Sequence, residues 1–329
     1  MGARADRRLP TVGRVAPGDV VVSGDAAAVA AVDVGTLSAR LLVQDATGRE
    51  LVRTAVVCGL GEGTASSRRL SSDGVAATLD ALRSFRTVLD AQGVGRARAV
   101  GTAALRTAAP ADVAAFVASA GEVLGVPLEV IDGATEATLS HRGALASLGP
   151  VAGSSATIDL GGGSIDVAVG GPDGVPATCS LPVGAVGLTE RFLQADPPPP
   201  EDLVAALSIV EAYLDDLIRS LPEVRTVDRV VGLGGTFTTM AAVELGLDPY
   251  DPAVVDGFVL TRAAAEDVFR TLVTEPLVDR VHNPGLPADR AVHILGGACA
   301  VVATYRFLGL DAVVVTGCDL LDGIVAELR

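Results

Sequence analysis

Hydrophobic and polar residues follow one pattern that occurs twice along the chain. From residue 27, AAVAAVDVGTLSARLLVQDATGRELV predicts three strands joined by turns at 33–38 and 45–48. From residue 154, SSATIDLGGGSIDVAVGGPDGVPATCSLPVG gives the same order of strand, glycine turn, strand, turn and strand. An internal repeat of this kind predicts two similar α/β domains.

Apolar residues recur at helical spacing between and after these repeats. Helices are predicted over 73–92, 111–125, 136–148, 201–221, 237–245, 288–309 and 318–328, the first with Asp73 as its N-cap. Short apolar runs predict strands over 97–108, 128–132 and 311–317, and a strand running into a glycine turn over 228–236. Strands that alternate with helices favour sheets covered on both faces.

The length of 329 residues exceeds that of one ordinary domain, so two globular domains are expected. Residues 1–26 are rich in Arg, Gly and Pro without periodicity and are predicted to be a mobile extension. The first domain is assigned to 27–150 and the second to 151–318. The closing helix at 319–329 is a candidate to return to the first domain.

A formal net charge of −15 argues against nucleic-acid binding, because phosphate backbones are held by clustered Lys and Arg. No segment reaches the roughly 18 consecutive apolar residues of a membrane helix. The N-terminus also lacks the apolar stretch of a secretory signal. We therefore expect a cytoplasmic protein that binds neither membranes nor nucleic acids. A polyanionic ligand would require arginines concentrated at its site.

Three glycine turns follow predicted strands. The first is DVGTLS (33–38), the second is DLGGGS (159–164) with Asp166 close behind, and the third is GLGGT (232–236), where a helix begins. Consecutive glycines cost entropy and pack nothing, so the second turn is better explained by a phosphate that approaches the backbone than by chance. The first turn alone would be an ordinary β-turn, and the third alone could be a tight connection.

This layout is similar to that of the actin-like ATPase superfold, in which a phosphate chain lies in a cleft between two similar, ribonuclease H-like domains. Within that superfold the chain resembles the bacterial family of exopolyphosphatases and guanosine pentaphosphate phosphohydrolases, from about residue 30 to the C-terminus. The motifs that carry this resemblance are GTAALRTA (101–108), GATEATL (133–139), SLPVGAVGLTERF (180–192), PGLPADRA (284–291) and CDLLDGI (318–324).

The resemblance implies roles for individual residues. Glu136 matches the family's catalytic glutamate, which orients or deprotonates the attacking water; alone, it would be an acid favourably placed in the first turn of a helix. Asp33, Asp159 and Asp166 are the implied Mg²⁺ ligands, and Asp166 stands where the family usually has Glu. The implied phosphate contacts are Gly35, Thr36, Ser38, Arg106, Gly161, Gly162, Gly163, Ser164, Gly234, Gly235 and Thr236, with Arg40 as a further candidate.

The resemblance therefore implies a Mg²⁺-dependent exopolyphosphatase, which releases terminal orthophosphate from inorganic polyphosphate. Guanosine pentaphosphate, losing its 5′-terminal phosphate, is the alternative substrate. Two other classes are a kinase of the same superfold and a non-catalytic sensor of polyphosphate or an alarmone. The sequence leaves open the chain-length preference and the oligomeric state, including a homodimer.

Overall fold

The computed structural model describes residues 27–149, 153–171, 174 and 176–329. The predicted extension at 1–26 and the predicted boundary between residues 150 and 151 lie outside these residues. In the described part, helices and strands form two α/β units, each built around one mixed sheet. The α/β class expected from the sequence is confirmed.

The first unit contains the N-terminal half of the elements. In chain order they are β1 (Ala28–Val34), β2 (Ser38–Gln44), β3 (Glu50–Val57), α1 (Thr64–Ser67), α2 (Ser72–Ala91), β4 (Val94–Gly101), α3 (Ala103–Thr107), α4 (Pro110–Leu124), β5 (Leu128–Val130) and α5 (Gly133–Leu148). Within the described residues the strand order is β3-β2-β1-β4-β5. The first three strands form an antiparallel meander, whereas β4 runs parallel to β1 and β5 runs parallel to β4.

The second unit repeats this topology. Its elements are β6 (Ser155–Leu160), β7 (Ile165–Gly170), β8 (Ala177–Leu181), α6 (Ala185–Phe192), α7 (Pro200–Ser220), β9 (Arg229–Leu233), α8 (Gly234–Glu244), α9 (Pro252–Val255), β10 (Val259–Thr261), α10 (Arg262–Thr274), α11 (Leu277–Arg280), α12 (Ile294–Leu308) and β11 (Ala312–Val315). The chain then ends with α13 (Leu320–Leu328). Apart from the edge strand β10, the order β8-β7-β6-β9-β11 and the strand directions match those of the first sheet. The internal repeat in the sequence predicted this similarity between the two sheets.

Helices cover both faces of the first sheet. On one face Val32 and Leu41 pack into a buried cluster with Phe85 of α2 and Phe116 of α4. On the other face a separate cluster includes residues of β1, β2, α5 and α13. Burial of each such large apolar side chain contributes about 1.5–3 kcal/mol to folding. The last helix of the chain therefore packs against the first sheet.

Two glycines allow α5 and α13 to pack backbone against backbone. A Cβ atom on Gly143 would lie 2.1 Å from the Asp319 carbonyl oxygen, and one on Gly323 would lie 2.1 Å from the Leu139 carbonyl oxygen. Real Cβ atoms do not tolerate such distances, so both positions require glycine at this helix separation. The close packing fixes the position of α5, which carries Glu136 in its first turn.

Several local predictions are wrong. Strand β4 ends at Gly101, and residues 103–107 form α3, because Ala and Leu favour a helix and the Thr102 carbonyl accepts the N–H groups that close its first turn. The predicted helix at 288–309 begins only at Ile294, after a 3-10 turn at Ala288–Arg290. The N-cap of α2 is Ser71, whose hydroxyl accepts the Gly74 N–H at 3.1 Å, rather than Asp73.

None of the helices in the described ranges is both long and apolar enough to cross a membrane.

Candidate functional site

The two acid-bearing turns share one backbone geometry. The Gly35 N–H donates to the Ser38 carbonyl at 3.0 Å, and the Gly161 N–H donates to the Ser164 carbonyl, also at 3.0 Å. Each turn follows a central strand, β1 or β6, whose next-to-last residue is the acid, Asp33 or Asp159. The structural repeat therefore extends to the candidate functional residues.

Both turns line one cleft between the two sheets, with an empty volume of about 710 Å³ that is partly open to solvent. All but one of the predicted site residues lie along it. They are Asp33, Gly35, Thr36, Ser38, Glu136, Asp159, Gly161, Gly162, Gly163, Ser164, Asp166, Gly234, Gly235 and Thr236. The exception is Arg106, which lies behind Glu136.

Glycine is required where the turns approach each other most closely. A Cβ atom on Gly163 would lie 2.4 Å from Thr36 Oγ1 and 3.0 Å from Ala103 Cβ. At Gly162 the nearest side-chain atoms would be 3.2 Å away, on Leu37 and Val186. The third turn places the N-terminus of α8, beginning at Gly234, on the same cleft. Helix N-termini and exposed turn amides bind phosphate oxygens.

Strand register gives the two acids different neighbours. Arg40 lies opposite Asp33, and its Nε and Nη2 atoms donate to Asp33 Oδ2 at 2.9 and 2.6 Å. Its Nη1 atom pairs with Asp319 at the start of α13. At the equivalent position of the second sheet Asp166 lies opposite Asp159, so two carboxylates are neighbours there. Mainly because of burial, and also because of Asp319 and Asp166, the pKa of Asp159 is raised to about 7.

The acids of the cleft include oxygen atoms that could bind a magnesium ion. Asp33 Oδ1 and Asp166 Oδ1 are buried and have no hydrogen-bond partner among the described residues. Burial raises the pKa of both carboxyls, and a divalent cation beside them would favour their ionised form. No three Asp, Glu, His or Cys side chains in the described ranges are close enough to enclose a metal. The site therefore fits Mg²⁺ held by one or two carboxylates, water and phosphate oxygens.

Glu136 is positioned by the N-terminus of α5. Asp132 caps this helix, and its Oδ1 atom accepts the Thr135 N–H at 2.8 Å. Glu136 Oε2 accepts a hydrogen bond from Arg106 Nη1 at 2.5 Å, and the same Nη1 donates to the Ile131 carbonyl at 3.3 Å. Burial, and then Asp166, raises the pKa of Glu136 well above its ordinary value, whereas Arg106 lowers it. A buried, firmly oriented carboxylate with a raised pKa is suited to accept a proton from water.

The structure adds candidate site residues that the sequence did not indicate. Arg290 lines the cleft, and a Cβ atom on Gly235 would lie 1.5 Å from its Nη1 atom. No carboxylate forms a salt bridge with Arg290 within the described residues, and burial lowers the pKa of its guanidinium. Ser140 donates to Asp159 Oδ2 at 3.0 Å. The motif PGLPADRA contains Arg290, but nothing local in that motif shows that it folds over the third glycine turn.

The chain matches the model of the Ppx/GppA phosphatase family over residues 43–328. It is 34% identical over 316 residues to "Exopolyphosphatase 2" of Mycobacterium tuberculosis, which covers 91% of this chain and 98% of that protein. It is 25% identical to "Guanosine-5'-triphosphate,3'-diphosphate pyrophosphatase" of Photobacterium profundum, covering 91% of this chain but 59% of that protein.

Solved structures agree with these sequence matches. The crystal structure of the Aquifex aeolicus Ppx/GppA family member is 30% identical and has a TM-score of 0.76, covering 92% of this chain and 98% of that one. An exopolyphosphatase-like protein is 29% identical with a TM-score of 0.86 at the same coverage. Both the family resemblance and the fold expected from the sequence are confirmed. The chain belongs to the Ppx/GppA phosphatase family and is a phosphohydrolase that acts on phosphoanhydride bonds.

Proposed function

We propose that this phosphohydrolase is an exopolyphosphatase that releases terminal orthophosphate from inorganic polyphosphate with the help of Mg²⁺. The observation that carries the proposal is the cleft, where two matching glycine turns and the buried Glu136 face one space. The chain is 34% identical to the relative named as an exopolyphosphatase and 25% identical to the one named for a guanosine nucleotide. The higher identity favours polyphosphate over guanosine pentaphosphate.

The terminal phosphoryl group would bind between the two acid-bearing turns. Backbone N–H groups of the turns and of the α8 N-terminus provide donors for its oxygens. Arg290, which has no carboxylate partner in the described part of the chain, supplies a guanidinium for the polyanion. Asp33 and Asp166, whose Oδ1 atoms have no hydrogen-bond partner among the described residues, would hold Mg²⁺, which would supply neutralisation of the phosphate charge.

Glu136 would orient the water and accept its proton. Its Oε2 atom is held by Arg106, so Oε1 is the oxygen left for water. As the water oxygen bonds to the terminal phosphorus, the bond to the bridging oxygen breaks. The shortened chain leaves with that oxygen as a phosphate anion. Most of the rate enhancement in such reactions comes from positioning and charge stabilisation rather than from covalent chemistry.

Phosphate release from polyphosphate and from guanosine pentaphosphate, with Mg²⁺ or with EDTA, tests the proposal. The wild type is expected to release phosphate from polyphosphate faster, and only with Mg²⁺. Glu136→Gln should lower the rate by about 10²–10⁴-fold, the usual contribution of a general base. Glu129→Gln is the matched control, because Glu129 is an exposed partner of Arg98.

Three results would contradict parts of the proposal. Faster release from guanosine pentaphosphate would show that it, and not polyphosphate, is the preferred substrate. Tight polyphosphate binding without release would indicate a sensor. An unchanged rate in Glu136→Gln would exclude its role in activating water.

A further inference from the structure

A second pocket adjoins the catalytic cleft. It has an empty volume of about 920 Å³, partly open to solvent, and is lined by α3, α6, α7 and the segment 61–65. Residues that line both the second pocket and the cleft are Thr36, Ala103, Gly162 and Gly163. Only the two glycine turns and the start of α3 therefore separate the two spaces.

Small residues form this shared wall, and Thr36 lies within it. A Cβ atom on Gly61 would lie 2.4 Å from Thr36 Cγ2, just as one on Gly163 would lie 2.4 Å from Thr36 Oγ1. Thr36 is 8% exposed, and its buried Oγ1 has no hydrogen-bond partner among the described residues. A hydroxyl group can both donate and accept a hydrogen bond. The wall is closed at this position, so a small polar ligand passes from one space to the other only when the two turns part, and the Thr36 hydroxyl then lies at the opening.

A cation lies along the second pocket. The exposed Arg191 stacks its guanidinium on the Phe192 ring, 4.9 Å from the ring centroid. It makes no salt bridge within the part of the chain that the structure describes. Its neighbour Glu190 accepts the Gly63 N–H at 2.7 Å and so connects the segment 61–65 to α6. The pocket is thus closed on one side by an interaction between the two units and carries a guanidinium available to an anion.

We propose that the second pocket is the exit route for the orthophosphate product. This inference rests on the proposed function. A polyphosphate chain that stays bound for the next turnover still fills the cleft after its terminal phosphate has been cut off. The freed phosphate then needs a different way out, and the wall at Thr36 is shared with a pocket that leads past Arg191. The Arg191 guanidinium offers the departing anion a charge-assisted hydrogen bond on this path.

Gly187 offers a way to block this route without touching the catalytic residues. It lies on α6 and lines the second pocket but not the cleft. A Cβ atom added there would meet no other atom within 4 Å. Gly187→Phe should therefore fill the pocket, whereas the matched control Gly187→Ala leaves it open.

Rapid-quench measurement of phosphate formation from polyphosphate separates chemistry from product exit, because the quench also counts phosphate that is still bound. Gly187→Phe and Gly187→Ala should show the same first-turnover rate. The steady-state rate of Gly187→Phe should fall about tenfold, because product release becomes limiting, while Gly187→Ala keeps the wild-type rate. Arg191→Gln should show a smaller fall in the steady-state rate alone. Thermal unfolding checks that the Phe variant is folded; if it is not, Gly187→Met is measured in its place.

Each other outcome overturns the proposal. Equal steady-state rates for the Phe and Ala variants would show that phosphate does not leave through this pocket. An equally slowed first turnover would show that the pocket serves substrate binding or the fold instead. If the wild type releases no phosphate from polyphosphate or guanosine pentaphosphate, the proposed function fails first and the exit route fails with it.

Discussion

The ion pair between Arg106 and Glu136 suggests a role for Arg106 besides the phosphate contact implied by the resemblance. The guanidinium was expected to counter phosphate charge from a strand, but it lies on α3 and holds Glu136 Oε2. Its positive charge lowers the pKa of Glu136, whereas burial raises it. Arg106 therefore controls both the orientation and the protonation of the candidate catalytic base.

Removal of Arg106 should change the pH dependence of the reaction. Because Arg106 lowers the pKa of Glu136, Arg106→Gln should raise that pKa further. The active form is the carboxylate, so the acidic limb of kcat/KM should move to higher pH in Arg106→Gln and less in Arg106→Lys. Phosphate release between pH 5 and 9 measures this. A raised KM with an unmoved limb would instead mean that Arg106 binds substrate; Arg98→Gln, at a surface ion pair, is the control.

Arg290 should contribute to substrate binding but not to stability. Loss of a hydrogen bond to a charged group costs about 1.5–3 kcal/mol, so Arg290→Gln should raise KM for polyphosphate about tenfold or more. Burial and Arg40 both lower the pKa of Arg290, so its charge is unfavourable in the folded chain. The melting temperature of Arg290→Gln should thus stay the same or rise. A lower melting temperature with unchanged KM would show that Arg290 is structural; Arg262→Gln, at an exposed pair with Glu266, is the control.

At the level of elements, the glycines of the second turn differ in whether they can be replaced by alanine. Neither Gly161 nor Gly163 has a positive φ, so backbone strain does not distinguish them. A Cβ atom on Gly161 would make an ordinary contact, 3.5 Å from the Ser164 carbonyl oxygen, whereas one on Gly163 would clash with Thr36. Gly163→Ala should lower the free energy of unfolding by about 1–3 kcal/mol, the usual cost of overpacking. Gly161→Ala should stay within about 0.5 kcal/mol of the wild type.

Urea unfolding followed by circular dichroism measures both variants. Equal losses of stability would show that the turns separate easily and that the close contact between Thr36 and Gly163 is not a constraint.

Elements with local signals were predictable, and those that depend on distant contacts were not. The repeated strands and turns follow from alternating apolar runs ended by glycines, and the structure contains both meanders. The start of α3 was missed because Gly101 ends the strand earlier than the apolar pattern does. Arg290 was missed because its contact with Gly235 is made only by tertiary packing.

The ion pairs that join the first sheet to the last helix could not be predicted from the sequence either. Arg40 joins Asp33 on β1 to Asp319 before α13, and the separation of 279 residues between Arg40 and Asp319 leaves no local trace in the sequence. The resemblance named acidic residues that line the cleft in the structure, but it could not show which of their oxygen atoms are already hydrogen-bonded. These hydrogen bonds determine which carboxylates are free to bind a cation and which are already neutralised by an arginine of the protein.

At the scale of the whole molecule, the proposed substrate is a polyanion and the protein is acidic. The net charge is −15, while Arg290 lies in the cleft and forms no salt bridge among the described residues. A long polyphosphate chain therefore meets repulsion at a distance and attraction only on contact. Salt screens the long-range repulsion more than the attraction on contact, since the Debye length falls from about 30 Å at 0.01 M to about 8 Å at 0.15 M ionic strength.

We therefore expect kcat/KM for long polyphosphate to rise over this range of ionic strength, at constant free Mg²⁺. Tripolyphosphate should show a smaller rise, because its lower charge meets less repulsion. Initial rates of phosphate release in KCl measure both substrates. If kcat/KM fell steadily with salt for both, attraction by Arg290 would already dominate at long range, and the acidic surface would lie away from the path that the substrate takes.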